Sequence, residues 1–249
     1  MSKKIKIVII ILLCLFVITV GFNLFKYVFK DKNITIDDEE KDIFINIAEK
    51  LKSVENLTVT KDVNYKIDGV PGNEHAEYNI DLNKIYVSCN HTQYDGQMVT
   101  SYLIKEDNNY YLYIGDNWSD YGKIDIGFTY YDDFYEIIKL LENIESYEEK
   151  DDNTYKLNIK ESVLSNYLKM FTSYDSDPGL PEILWLDYRK KDINKIGIYV
   201  TLTSDNNDIK EIMFDFSEID KRSPFYTIYY SNYNNVNVKI PSNVLAKLF

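Results

Sequence analysis

The residues with the widest chemical repertoire are the two histidines, His75 and His91, and Cys89, two positions before the second. If the chain turns near Leu82 and Asn83, His75 comes opposite Asn90, beside both Cys89 and His91. One thiolate and two imidazoles form a ligand set that zinc accepts. The plainer alternative is a partly buried thiol and two exposed histidines on an ordinary hairpin. Cys89 and His91 make a poor nucleophile and base, because neighbours two apart on a strand project side by side rather than toward one another. The segment "DSDPGLPE", Asp175 to Glu182, opens like a calcium loop but lacks a third oxygen ligand, and its glycine falls at the wrong place. A Pro-Gly turn with solvated acids explains it. No Gly-X-Ser-X-Gly elbow, Walker loop, His-Glu-X-X-His helix or Cys-X-X-Cys pair occurs. The expectation is a protein that is not an enzyme, with no catalytic residue, metal ligand or cofactor.

Charge narrows the partners. There are 28 Lys and Arg against 40 Asp and Glu, a net charge of -12; five of the lysines precede Asp31, so the rest carries -12 minus 5, or -17. Such a body is repelled by phosphate backbones, which excludes nucleic acid as a partner. Cys14 lies in the apolar N-terminal run and Cys89 is the only other cysteine, so no disulfide forms within the body. Abundant Asn, Ile, Lys and Tyr beside two arginines fit an AT-rich genome, as in low-GC bacteria.

The elements that would carry any site begin with a membrane segment. Residues 1–30 open with Lys3, Lys4 and Lys6 and run apolar from Ile7 to Phe25. Those nineteen residues, at about 1.5 Å each, reach about 28 Å, the thickness of a hydrocarbon core. No small-X-small site beyond Thr19-Val20-Gly21 invites cleavage, so the reading is one transmembrane helix acting as a signal anchor. Residues 31–42 follow as an acidic tether, and residues 43–249 form the exported domain. The protein is expected in the cell membrane as a single-pass chain, with its N-terminus cytoplasmic and its C-terminal domain extracytoplasmic.

Phe44, Ile47, Ala48, Leu51 and Val54 recur at three and four, which predicts a helix whose first turn holds Glu39 and Glu40. From Leu57 the period falls to two, through Val59, Val63, Tyr65 and Ile67, and Gly69, Pro71 and Gly72 end that run. Short strands are then expected at Tyr78 to Ile80, Ile85 to Cys89, Met98 to Ile104, Tyr110 to Ile114 and across Ile124, Ile126 and Phe128. A second helix carries Phe134, Ile137, Ile138, Leu141 and Ile144. A hairpin turns at Asp151 to Asn153, and a third helix carries Leu164, Tyr167, Leu168 and Phe171. Residues 172–192 read as a long loop. Ile196 to Leu202 and Ile212 to Phe216 are strands, and "FYTIYYSNYNNVNVKIP" is a closing strand pair with Tyr226, Ile228, Tyr230, Val236, Val238 and Ile240 on one parity.

In this order the elements resemble the LolA/LppX-like exported lipoproteins and membrane-anchored relatives of Gram-positive type. The resemblance rests on the leading helix before "ENLTVTKDVNYKIDG", on "NNYYLYIGDNWSDY", on the helix and hairpin of "IIKLLENIESYEEKDDNTYKLNI", and on the closing "IGIYVTLTSDNNDIKEIMFDFS" and "YTIYYSNYNNVNVKIPSNV". It implies an α+β fold: a strongly curved antiparallel β-sheet, or half-open barrel, with about three covering helices, preceded here by the transmembrane helix. It also implies lipids or lipidated proteins held between sheet and helices. The usual lipid-attachment cysteine is missing, and the signal anchor takes its place.

The function expected is a membrane-tethered extracytoplasmic binding module, non-catalytic, for a lipophilic or peptide ligand. Tyr113, Trp118 and Phe128 are the expected cavity residues on the sheet side, with Phe134, Ile138 and Leu141 on the covering helix. The alternative is a structural or interaction protein of the cell envelope, with a filled barrel and a protein partner.

Overall fold

The computed structural model describes residues 38–67, 70–92, 96–122, 132–151, 153–172, 192–205, 207–219 and 225–248. All of them belong to one of the two compact units of the chain, Ile36–Phe249. The expected membrane helix over residues 1–30 lies outside the described residues. Among those described, no helix is long and apolar enough to cross a membrane.

Helix α1 runs Asp38–Lys52, so its first turns come from the stretch expected as tether. Six strands follow: β1 Asn56–Ile67, β2 Val70–Asp81, β3 Tyr86–Thr92, β4 Met98–Glu106, β5 Asn109–Ile114 and β6 Asn117–Gly122. Helix α2 is Asp132–Leu141, the hairpin β7 Ile144–Asp151 and β8 Thr154–Ile159, and helix α3 Glu161–Thr172. A short 3-10 turn, Ile193–Lys195, leads into β9 Gly197–Leu202, β10 Ile209–Asp215 and β11 Phe225–Ser231, and a single helical turn α4, Ser242–Leu245, ends the described chain.

The strands form one open antiparallel sheet in the order β6-β5-β4-β3-β2-β1-β11-β10-β9-β8-β7. Among the described residues the two meanders are thus joined by a single long-range pairing, β1 with β11, in which Val59 faces Tyr230 and Val63 faces Tyr226. Alternation then sorts every strand into two faces. On one, Leu57, Tyr78, Val87, Leu103, Leu112, Leu157, Ile198, Ile212 and Ile228 share a single hydrophobic core with Phe44 and Leu51 of α1, Ile137 and Leu141 of α2, and Leu164 and Leu168 of α3. This is the helix face.

Several local expectations change. β2 starts at Val70 and pairs through Pro71 with Lys66 and Gly72 with Tyr65, so these residues open a strand instead of ending one. Proline is tolerated because β3 joins β2 only from His75 onward, and Pro71 has no ladder bond to donate on that side. Trp118 sits in an additional strand, β6, returned by the two-residue turn Gly115-Asp116, both at positive φ, the primed geometry that matches strand twist. Ile144 opens β7 rather than continuing the stripe of α2. The closing stretch is one strand and not a pair. β11 is flanked by β1 and β10, so neither of its edges is open to a further strand. The chain leaves the sheet instead at Asn232 and Asn234, both left-handed. The expected strand across Ile124, Ile126 and Phe128 and the loop over residues 173–191 lie outside the described residues.

Candidate functional site

Among the described residues the helix face has two unlike halves. Over β7 to β11 it is packed by rings. Phe44 of α1 meets Tyr147 and Tyr155 edge-on, with centroids 5.2 and 5.5 Å away. Tyr167 of α3 stacks on Phe214 at 5.3 Å, and Phe214 in turn stacks on Tyr226 at 5.9 Å. Phe134 of α2 lies 6.1 Å from Tyr230. Offset stacks and edge contacts of this kind fix ring orientation as well as burying area. Two ion pairs hold α1 in place, Lys52 with Glu142 at 2.5 Å and Lys50 with Asp208 at 2.6 Å.

Over β1 to β4 the same face carries small and polar side chains among the apolar ones. Lys61 of β1 is only 2% exposed, His91 of β3 is 8% and Ser101 of β4 is 5%; Cys89 and Ala76 are also buried. The registers set them in two rows: Lys61, Ala76, His91 and Val99 in one, and Val59, Tyr78, Cys89 and Ser101 in the next. Glu74 and Tyr78 flank Ala76 along β2. His91 Nε2 lies 3.7 Å from Glu74 Oε2, within ion-pair reach but too long for a hydrogen bond. Lys61 Nζ stands 5.2 Å from the centre of the Tyr78 ring, a cation–π contact.

The parity of the sheet separates the three residues weighed for zinc. His75 pairs with Thr92, and with Asp62 on β1, which puts it on the face opposite Cys89 and His91. There His75 Nδ1 contacts Asp62 Oδ1 at 2.6 Å. Among the described residues no group of three His, Cys, Asp or Glu side chains is arranged to hold a metal ion. The calcium-like segment from Asp175 lies outside them.

The six expected cavity residues fall in different places. Phe134, Ile138 and Leu141 are buried in the helix-face core. Tyr113 and Trp118 are not on that face. Leu112 pairs with Leu103 on the helix side, so Tyr113, paired with Tyr102 and Trp118, points the other way. Both are covered there by the C-terminal segment: Trp118 Nε1 donates to the Val244 carbonyl at 2.9 Å, and Lys247 Nζ donates to the Tyr113 hydroxyl at 3.2 Å. Phe128 lies outside the described residues. In place of Tyr113, the helix face of β5 presents Tyr110 and Leu112.

Lys61, Glu74 and His91 were not expected as a group. One signal was available: Lys61 occupies the apolar phase of Val59 and Val63, where alternation calls for another apolar side chain.

Neither a family model nor a curated protein sequence matches the chain. In arrangement it resembles solved structures of the LolA/LppX kind. The lipoprotein LppX of Mycobacterium tuberculosis is 15% identical, with 82% of this chain and 100% of that chain covered and a TM-score of 0.47. LprF from Mycobacterium bovis is 15% identical over 83% of this chain and 98% of that chain, with a TM-score of 0.44. A LolA superfamily protein from Nitrosomonas europaea is 8% identical over 82% and 96%, with a TM-score of 0.29.

Proposed function

We propose that the chain is a non-catalytic binding module that takes a lipophilic ligand, a lipid or the lipidated end of a peptide, between its helices and the β1 to β5 half of the sheet. The observation that carries this reading is the contrast between the halves. Among the described residues, stacked and edge-on rings pack β7 to β11, whereas β1 to β4 present Ala76, Cys89, Ser101, His91 and Lys61 beside Tyr78 to the same interior. Burying a polar group costs free energy unless it is paired, so the gathering of Ser101, His91 and Lys61 on this half supports a use beyond packing.

The width of the sheet supports the same reading. Ten inter-strand steps of about 4.8 Å make about 48 Å, and three helices about 10 Å across cover about 30 Å. Helix-face residues are nonetheless buried from Leu157 in β8 to Leu112 in β5. In the proposed form the sheet therefore curls round its helices as a half-open barrel, and the ligand lies between the helices and β1 to β5. The apolar run from Ile7 to Phe25 tethers this module to the membrane, with its acidic body on the extracytoplasmic side.

The test is mass spectrometry of the organic extract from the full-length chain purified in amphipol, with an unrelated single-pass membrane protein prepared alongside as baseline. The expected result is a lipid or acyl-chain compound enriched at about one per chain. An extract matching the baseline, together with a protein recovered by crosslinking, would replace this reading with that of an envelope interaction protein whose barrel is filled.

A further inference from the structure

We draw no further inference here: the strongest candidate, the surface patch of the helix layer where Ile45 of α1 and Tyr135 of α2 stand exposed, is an apolar face, and nothing in the structure shows what covers it.

Discussion

Trp118 Nε1 donates to the carbonyl of Val244 at 2.9 Å, across 126 positions of sequence. The bond fastens the C-terminal segment to the edge hairpin of the sheet, on the face away from the helices. At its other end the segment is fastened to β1, where Val236 N donates to Asn56 Oδ1 at 2.6 Å. Ile104, Tyr113 and Val244 are each buried but are not part of the main core. Trp118→Phe keeps the ring and removes the donor, leaving a carbonyl without its bond, and should cost about 1 kcal/mol. Hydrogen exchange is expected to accelerate at residues 242–248 ahead of β9 to β11; uniform acceleration would contradict a local fastening.

The inner end of the segment turns on Asn234, which is left-handed at φ 54. Its Oδ1 accepts from Glu55 N at 2.7 Å, and its own N donates to Asn56 O at 2.7 Å. Asn234→Ala loses the side-chain acceptor and adds the left-handed penalty of a Cβ residue, together about 2 kcal/mol. Asn234→Gly loses the acceptor alone. In urea titration the alanine variant should therefore be the less stable of the two, and the reverse order would remove the role given to its backbone conformation.

Phe214 is the central ring of the packed half, stacked between Tyr167 and Tyr226. Phe214→Ala should cost about 3–5 kcal/mol by chemical denaturation. Because it lies on β10, three strands from β2, ligand affinity measured under folded conditions should change less than stability.

Burial pushes the Tyr233 phenol well above its ordinary range, with the Asp208 carboxylate adding to the shift. Its hydroxyl donates to Ile209 O at 2.8 Å. In the unfolded chain the phenol ionises near pH 10. Below that value the folded and unfolded states hold the same proton and stability is independent of it. Above it the unfolded state releases the proton while the folded state keeps it, so stability falls as pH rises from about 10 toward the raised folded value. Tyr233→Phe should flatten part of that alkaline loss, measured as urea midpoints between pH 9 and 11. An unchanged slope would mean that other tyrosines, such as Tyr86 and Tyr229, also raised by burial, carry the dependence.

Much of the element order was legible because each element repeats a pattern. Phe44, Ile47, Ala48 and Leu51 mark α1, and all four are buried as their spacing requires. Leu164, Tyr167 and Leu168 do the same for α3. The turn at Asp107 and Asn108, both at positive φ, was legible from "EDNN". Trp118 was harder to place: its strand, Asn117–Gly122, has little alternation, being an edge largely open to solvent.

What the sequence by itself determined is the division of each strand into two parities, since a strand's side chains alternate whatever lies beside it. Which parity is covered by helices, and whether the other is also covered, was left to the tertiary structure. Tyr113 and Trp118 were expected to face the helices and instead lie under residues more than a hundred positions later. The central position of β11 likewise follows from the pairing of β1 with β11, a contact between distant parts of the chain that no local pattern encodes. The grouping of polar side chains beside Ala76 has the same origin. Lys61, Glu74 and His91 lie thirty positions apart at most in sequence, but only the registers of β1, β2 and β3 set their rows side by side on one buried face.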